Sequence, residues 1–183
     1  MDCGDLQGVL SHTKLQLSWK EQKLCMVLEI TQGLHYLQTL ELKMIHRDLK
    51  SRNILVDSKA GLKFSDFGLS RSCTFDETMT VGVGTVRWTA PEVILGYDYY
   101  ESVAIYSLGI VLTATDMGQV PFYDACTASG LALKEVSIAH EVAIGRLHLK
   151  FIRNCPPSIL QIGKACLQQD SALRPTTHIY YTH

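Results

Sequence analysis

The sequence lacks the segments that direct a protein into a membrane or out of the cell. Its N-terminus, MDCGDLQGVL, has no basic region followed by a long apolar run and is therefore unlike a secretory signal. The most apolar stretch, 105–112, is far shorter than the roughly 20 residues that a membrane-spanning helix requires. We expect a buried helix at 105–112 and, by default, a cytoplasmic protein without a membrane segment in this chain.

Cysteine is present, but without a pattern typical of a metal site or a disulfide framework. No two cysteines form a C-x-x-C pair, and none lies in a Cys/His cluster with zinc-ligand spacing. We therefore expect reduced thiols, most of them buried. The six cysteines are Cys3, Cys25, Cys73, Cys126, Cys155 and Cys166.

An excess of charge of either sign is also missing. The 17 Lys and Arg residues and 18 Asp and Glu residues leave a formal charge of -1. Nucleic acids and anionic membranes usually require a basic surface, so we expect no nucleic-acid partner. The 183 residues, 46% of them hydrophobic, have the size and apolar content of one globular domain. No repeat, low-complexity tract or Pro-rich linker indicates a second domain.

Helical periodicity dominates both ends of the chain. Apolar residues recur at helical spacing from Trp19 to about Leu40, and Ser18 and Glu21 have the spacing of a capping box at the start of this segment. The C-terminal part is predicted to be mainly helical. Its three helical segments are Ile105 to Thr115, Leu131 to Ile144, and Ile159 to Gln169.

The middle of the chain has a different pattern. Two short apolar segments, 54–56 and 62–64, are separated by Asp-Ser-Lys-Ala-Gly and predict a small β-hairpin. The stretch from Ser70 to Gly84 is rich in Ser, Thr, Gly and acidic residues and has no sustained period. We expect an exposed, mobile loop there.

The segment HRDLKSRN, residues 46–53, carries side chains suited to phosphoryl transfer. This chemistry needs a carboxylate that orients an attacking hydroxyl and accepts its proton, and oxygen ligands for Mg²⁺. Asp48 suits the first role and Asn53 the second, and Lys50 can bring positive charge to the transferring phosphoryl group. A lone polar residue in a loop is usually only solvated, but solvation does not explain these eight residues in this order.

Two further segments extend the pattern. Asp66 in SDFG ends the second hairpin strand and is the expected second metal ligand, since the glycine permits a sharp turn. GTVRWTAPE follows the predicted loop, and near the end of the chain Arg174 is a candidate partner for its Glu92. That pair would anchor the far end of the loop.

HRDLKSRN, DFG and APE, in this order, resemble the catalytic loop, metal-binding loop and activation-segment end of protein kinases. The neighbouring sequence segments, including LSWKEQKL, GTVRWTAPE and CPPSIL, are most similar to those of the tyrosine-kinase-like group. The resemblance extends from about Met1 to Thr177. It implies ATP and Mg²⁺ as cofactors, a protein substrate, and an α+β, mainly α-helical C-terminal kinase lobe with a small hairpin at the catalytic cleft.

Individual positions carry further implications of this resemblance. Lys50 and Thr85 match positions that in Ser/Thr kinases contact the phosphate and shape the acceptor pocket, whereas tyrosine kinases usually carry another residue after HRDL. Leu55 matches the floor under adenine, although a simple core role is the alternative. Asp5 matches a residue that can meet the ribose, and a helix N-cap is its alternative.

Other matched positions concern packing and regulation. His46 and Phe67 match internal packing positions. Arg47 matches kinases whose activation loop is ordered by a phosphate–Arg contact, which implies an upstream activating kinase. Candidate acceptors are Ser72, Thr74, Thr78 and Thr80, of which Thr80 is favoured because it is nearest to the GTVRWTAPE segment.

The sequence departs from the family pattern in two respects. It contains no glycine-rich phosphate loop, no lysine for the α/β-phosphates and no helix with a partner glutamate; its G-x-G at 82–84 lacks the third glycine. Residues 1–183 are therefore predicted to be a partial kinase domain. Ala104 also stands where the family has an Asp that accepts backbone N–H groups of the catalytic loop, unless a one-residue deletion lies nearby. We expect a looser catalytic loop.

Three functional hypotheses follow. The first is an ATP-dependent Ser/Thr protein kinase, present as a fragment or as one lobe completed by another polypeptide and inactive by itself. The second is a non-catalytic interaction module derived from a kinase. The presence of Asp48, Asn53 and Asp66 argues against a protein that lost its catalytic activity long ago. The third, a phosphatase or another metal-dependent hydrolase, leaves the surrounding motifs without a purpose.

Overall fold

The computed structural model describes residues 1–12, 15, 17–41, 44–69, 71–72, 85–98 and 100–176. The described part of the chain is mainly helical, with two small antiparallel sheets. Its helices are α1 (Leu6–Ser11), α2 (Gln22–Thr39), α3 (Pro91–Ile94), α4 (Ser102–Met117), α5 (Glu135–Ala143) and α6 (Pro157–Cys166), and its strands are β1 (Met44–Ile45), β2 (Ile54–Asp57), β3 (Gly61–Phe64) and β4 (Arg71–Ser72). Short 3₁₀ turns occupy Ser51–Asn53, Phe67–Leu69, Val86–Trp88 and Ser171–Leu173.

The predicted hairpin is confirmed as β2 and β3. The strands are antiparallel, with Ile54 opposite Phe64 and Asp57 opposite Gly61. Asp57 closes the turn because its Oδ1 accepts the backbone N–H groups of Lys59 and Ala60 at 3.0 and 2.9 Å. Gly61 completes the turn with a φ of 70°, a conformation that glycine adopts without strain.

The second sheet pairs β1, which precedes the hairpin in the sequence, with β4, which follows it. Met44 in β1 lies opposite Ser72 in β4. The stretch from 70 to 84, predicted to be a loop, therefore contains a short strand at its start. The remainder of that predicted loop, 73–84, lies outside the described residues.

Helix α2 begins later than predicted, at Gln22, and the predicted capping box is wrong. Glu21 occupies the N-cap position but makes no side-chain capping bond. Instead, the side-chain oxygen of Gln22 accepts the backbone N–H of Ser18 at 3.1 Å. A polar side chain inside the helix thus closes the preceding turn, and this arrangement replaces the predicted Ser18–Glu21 pair.

Helix α4 forms the centre of the core and confirms the predicted buried helix. Every residue from Val103 to Asp116 is buried. The helix packs closely on α6: a Cβ added to Gly109 would lie 2.8 Å from Cβ of Cys166, so only glycine permits this approach. Within the described ranges, no helix is long and apolar enough to cross a bilayer.

A buried aspartate near the end of α4 joins three segments. Asp116 accepts Nε1–H of Trp19 on Oδ1 and the backbone N–H of Ile152 on Oδ2, each at 2.7 Å. The ammonium group of Lys23 donates to the Asp116 carbonyl at 2.8 Å, and burial lowers the pKa of Lys23. Burial, with a smaller effect from Asp116, raises the pKa of the neighbouring Cys155 thiol to about 12. This thiol is therefore protonated and chemically inert at neutral pH.

The prediction of mostly buried cysteines is wrong for the described part of the chain. Cys155 and Cys166 are buried, but Cys3, Cys25 and Cys126 are exposed. The exposed thiols lie in the N-terminal extended segment, on the outer side of α2 and in the loop before α5. None of the five described cysteines forms a disulfide, and Cys73 lies outside the described residues.

The two C-terminal helices are shorter than their periodicity predicted. The start of α5 moves from Leu131 to Glu135 because Thr127 donates its backbone N–H to Leu131 at 2.8 Å and Cys126 pairs with Ala132 in a β-bridge. These bonds hold the chain in a tight loop. Helix α6, Pro157–Cys166, begins two residues before the predicted Ile159 and ends three residues before Gln169.

Candidate active site

The segment 46–53 is held between β1 and β2 by a buried histidine. Nε2 of His46 lies 3.0 Å from the Ser65 carbonyl, which can only accept, so this nitrogen carries the proton. The His46 ring also contacts Phe67 at a centroid distance of 4.9 Å. Burial lowers the pKa of His46 and thus favours the neutral ring.

The packing role expected for His46 agrees with its complete burial, but Phe67 is different. Its side chain contacts His46 on one side and is 42% exposed overall. The expectation that Phe67 is an internal residue is therefore wrong, because about half of its surface is exposed. This residue lies in the 3₁₀ turn just after Asp66, at an open edge of the described structure.

Asp48 is buried to 5% exposure, and three polar side chains surround its carboxylate. Oδ2 accepts from Nζ of Lys50 at 2.6 Å and from Nδ2 of Asn53 at 2.9 Å. Oδ1 accepts from the Thr85 hydroxyl at 3.2 Å. A second Nδ2 bond of Asn53, to the Asp48 carbonyl at 2.9 Å, holds the amide in place. The structure thus brings together four residues that the sequence singled out.

Lys50 and Thr85 also contact each other. Nζ of Lys50 donates to the Thr85 hydroxyl at 3.2 Å while it pairs with Asp48. A hydroxyl oxygen between an ammonium group and a carboxylate can accept from the first and donate to the second. The site therefore accommodates an alcohol between Asp48 and Lys50.

Asn53 and Asp66 are connected through Ser65. The carbonyl of Asn53 accepts the backbone N–H of Ser65 at 2.9 Å and its hydroxyl at 3.1 Å. Asp66 follows directly, with a φ of 61° and an exposed side chain. The left-handed conformation is uncommon for a residue other than glycine but tolerated by aspartate, and such strain is typical of functional sites.

These two residues fit a magnesium ion. Because Nδ2 of Asn53 donates to Asp48, its amide oxygen is left as a potential ligand, and the exposed carboxylate of Asp66 is the second oxygen donor. The described residues contain no cluster of three or more His, Cys, Asp or Glu side chains that could hold a metal alone. Mg²⁺ in phosphoryl-transfer sites typically uses one or two carboxylates together with phosphate oxygens, so the small donor set agrees with such an ion.

The predicted pair between Glu92 and Arg174 is present. Nη1 and Nη2 of Arg174 donate to the two carboxylate oxygens of Glu92 at 2.5 and 2.7 Å, and the Arg174 side chain is fully buried. The guanidinium also lies 4.8 Å from the centre of the Tyr106 ring. Burial raises the pKa of Tyr106 to about 12, although the charge of Arg174 opposes this effect. The pair attaches α3 to the C-terminal segment.

Asp5 and Leu55 lie side by side at the start of the hairpin, where they form a β-bridge. Oδ1 of Asp5 accepts the backbone N–H of Gly8 at 2.8 Å, so the N-cap alternative for Asp5 is present in the structure. Leu55 is half-buried. Their contacts with a nucleotide stay predictions.

Comparison with known protein families identifies this chain: the family described as protein kinase domain matches residues 1–183. The chain belongs to the protein kinase family. Its mixed helices and small antiparallel sheets are those of a protein kinase domain.

Related kinases are similar over most of this chain. It is 34% identical over 178 residues, 96% of its length, to the probable serine/threonine-protein kinase drkB of Dictyostelium discoideum, and covers 24% of that protein. It is 36% identical over 155 residues, 84% of its length, to the mitogen-activated protein kinase kinase kinase dlk-1 of Caenorhabditis elegans, covering 16%. It is 35% identical over 148 residues, 81% of its length, to the serine/threonine-protein kinase STY17 of Arabidopsis thaliana, covering 24%. The chain spans about a quarter or less of each of these relatives.

The kinase chain also shows the local departure noted in its sequence. Ala104 is buried in α4, where a methyl group offers no hydrogen-bond acceptor to the catalytic loop. Arg47 in that loop has a φ of 65°, a strained backbone for an arginine. Whether the loop is looser for this reason stays a prediction, and Thr80, the favoured phosphate acceptor, lies outside the described residues.

Sequence reasoning missed an arginine close to this site. Nε of Arg87 donates to Oε1 of Glu135 at 2.6 Å, and Nη1 donates to the carbonyls of Pro121 and Phe122 at 2.9 and 3.2 Å. A lone arginine within GTVRWTAPE gave no signal of these contacts, because its partners lie 34 to 48 residues further along the chain.

Proposed function

We propose that this chain is the C-terminal lobe of a protein kinase that transfers the γ-phosphoryl group of ATP to serine or threonine of protein substrates. The observation that carries the proposal is the buried Asp48 carboxylate, held by Lys50, Asn53 and Thr85. Such a group can orient a hydroxyl and accept its proton while the hydroxyl oxygen forms a bond to phosphorus and the ADP oxygen leaves.

The two oxygens of Asp48 differ in a way that suits this role. Oδ2 already accepts two short hydrogen bonds, from Lys50 and Asn53, whereas Oδ1 accepts one long bond from the Thr85 hydroxyl. Oδ1 is therefore the oxygen with capacity for an acceptor hydroxyl. A substrate alcohol that replaces or joins the Thr85 hydroxyl would have Asp48 as proton acceptor and Lys50 as its cationic neighbour.

The contact between Lys50 and Thr85 supports serine or threonine as the acceptor. Both residues contact the Asp48 carboxylate, and a 3.2 Å bond joins them to each other. A short aliphatic alcohol reaches a small site of this kind more easily than a phenol on a rigid ring. The Ser/Thr kinases among the similar proteins support the same choice.

Asn53 and Asp66 would hold Mg²⁺ with ATP. Held there with ATP, the ion would supply positive charge that offsets the negative charge on the phosphoryl oxygens. Asn53 contributes its amide oxygen and Asp66 its carboxylate, while Leu55 would lie under adenine and Asp5 near the ribose. The Asn53 amide remains oriented throughout because Asp48 accepts both of its Nδ2 bonds.

No glycine-rich loop and no lysine in a V-A-x-K-like setting stand ahead of the HRDLKSRN segment in these 183 residues. We propose that residues 1–183 form a partial domain, related to the tyrosine-kinase-like group, and that another segment or polypeptide supplies the ATP-binding lobe. Cytoplasmic location, an upstream activating kinase acting on Thr80 and a role for Arg47 in reading that phosphate are part of this proposal.

A second candidate is a non-catalytic kinase-derived interaction module. Ala104 favours this alternative, because the catalytic loop lacks the carboxylate expected beneath it. The intact arrangement around Asp48 favours catalysis. Activity measurements distinguish the two.

The test is acceptor specificity in a completed kinase. The chain is fused behind the ATP-binding lobe of a related Ser/Thr kinase and incubated with ATP, Mg²⁺ and matched peptides that differ only in Ser, Thr or Tyr. We expect phosphate on Ser and Thr peptides, little on Tyr, and negligible transfer by the unfused chain, which lacks the groups that position ATP. A folded fusion that modifies no peptide supports the interaction module, and a preference for Tyr contradicts the proposed acceptor.

A further inference from the structure

Arg87 lies in the turn that carries Thr85, one of the residues beside Asp48. The turn Val86–Trp88 is closed by two bonds to the Thr85 carbonyl, from the Trp88 N–H at 2.8 Å and the Thr89 hydroxyl at 3.0 Å. Its inner side is attached to α4, since Ser107 donates its hydroxyl to the Trp88 carbonyl at 3.0 Å. Any movement of this turn therefore moves Thr85.

On the side of the turn away from α4, the described hydrogen bonds to the rest of the chain are all made by Arg87. The guanidinium donates to Glu135 at the first position of α5 and to the carbonyls of Pro121 and Phe122. One planar group thus binds three acceptors from two segments, which a flexible lysine ammonium cannot match in geometry. Phe122, one of the two carbonyl acceptors, has a φ of 58°, an uncommon conformation for a residue other than glycine.

Glu135 depends on the arginine in turn. Its Oε1 pairs with Arg87, and its Oε2 is buried without a hydrogen-bond partner among the described residues. The side chain as a whole is 37% exposed, so water reaches part of the carboxylate. The pair is asymmetric in its protein contacts: loss of Arg87 removes the one side-chain partner described for Glu135, whereas loss of Glu135 leaves the arginine with two carbonyls.

We infer that Arg87 is a positioning residue for the acceptor side of the site, because it attaches the turn that carries Thr85 to α5 and to the chain at Pro121 and Phe122. Through Thr85 it sets the place of Lys50 and the acceptor oxygen of Asp48. Arg87 touches neither Asp48 nor Lys50 in the described contacts, so its role is exerted through Thr85. The part of this inference that concerns catalysis rests on the proposed kinase function.

Hydrogen exchange of the 183-residue chain tests the attachment without reference to activity. In Arg87→Ala we expect amides of residues 86–89 to exchange about tenfold faster, since the coupling of such a pair is typically lost on truncation. Glu135→Ala should have a smaller effect, Arg87→Lys an intermediate one, and the double variant should be no worse than Arg87→Ala. The control is Arg153→Ala, at an exposed arginine. Exchange in Arg87→Ala equal to that of the control would overturn the inference.

The kinetic consequence is tested in the fused kinase described above. We expect Arg87→Ala to raise KM for the acceptor peptide about tenfold and leave KM for ATP unchanged, because only the acceptor side is displaced. A fall in kcat that a smaller folded fraction, measured by circular dichroism, fully accounts for, with both KM values unchanged, would contradict the positioning role. An inactive unmodified fusion would refute the proposed function instead, while the exchange result would still decide the attachment.

Discussion

At the scale of single residues, the buried His46 makes stability depend on pH. Burial lowers its pKa below the usual 6.5, so between the two values the unfolded chain binds more protons than the folded chain. Stability should therefore rise with pH through this window and fall on acidification below 6.5. The measurement is the free energy of unfolding in urea at several pH values from about 5 to about 7.

The matched variant is His46→Gln, whose amide can still donate to the Ser65 carbonyl but does not titrate. We expect it to lose much of the slope in this pH window. An unchanged slope would mean that other groups cause the dependence and that the folded His46 accepts a proton as easily as the unfolded one.

Replacing Ala104 by aspartate should increase activity rather than reduce it. Ala104→Asp places a carboxylate beneath the catalytic loop, where backbone N–H groups are expected to need an acceptor; an unsatisfied buried donor costs about 1–3 kcal/mol. In the fused kinase, this variant should raise kcat and the free energy of unfolding. Ala104→Asn, of similar shape but without charge, should restore less. Destabilisation by Ala104→Asp would show that no N–H groups face this position.

The residues that carry the proposed chemistry could be predicted because they are close together in sequence. Asp48, Lys50 and Asn53 lie within one loop, and their order alone indicates the reaction. The bonds from Trp19 to Asp116 and from Arg87 to Glu135 span 97 and 48 residues, so no local pattern indicates them. Exposure of Phe67 was also missed, because a motif gives a side chain's type and not what covers it.

At the scale of helices and strands, Asp116 holds α4 to the start of α2 and to the segment before α6. Asp116→Ala should lower the free energy of unfolding by about 1–3 kcal/mol, since the part-buried N–H groups of Trp19 and Ile152 lose their acceptor. Trp19→Phe, which removes one of these donors and keeps the ring, should cost less. The control is the exposed Asp124→Ala, and urea denaturation with equal m-values makes the comparison valid. Equal stabilities for the two alanine variants would contradict this role.

The pair between Glu92 and Arg174 attaches α3 to the C-terminal segment. Glu92→Ala should destabilise the chain by about 3–5 kcal/mol because it leaves a fully buried guanidinium without its carboxylate. Removing both charges, in Glu92→Ala with Arg174→Met, should cost less than Glu92→Ala alone. A double variant less stable than Glu92→Ala would show that the arginine acts mainly through its other contacts, with the Ser102 and Gln168 carbonyls.

The existence of the main elements followed from periodicity, but several of their boundaries did not. The hairpin of β2 and β3 and the buried α4 were predicted correctly because their apolar patterns are strong. The starts of α2 and α5 were misplaced by three and four residues because two sets of bonds hold the preceding residues in turns. These are the bond from the Ser18 N–H to the Gln22 side chain and those within the 127–131 loop.

At the scale of the whole molecule, the structure combines a rigid helical core with an open edge at the proposed nucleotide side. Asp48 and its partners rest on the buried α4 through the Val86–Trp88 turn, whereas Asp66 and Phe67 are exposed. We therefore expect the 183 residues to hold the acceptor side of the reaction and to depend on a second lobe for the nucleotide.

The central claim is that Asp48 accepts the proton of a substrate hydroxyl, and its most direct test is the initial rate of Asp48→Asn in the fused kinase. The side chain keeps its size but loses its charge. We predict that kcat falls by about 10²–10⁴-fold with the Ser peptide, while Asp124→Asn retains the full rate. An Asp48→Asn enzyme that is folded and transfers phosphate at the unmodified rate would contradict the account.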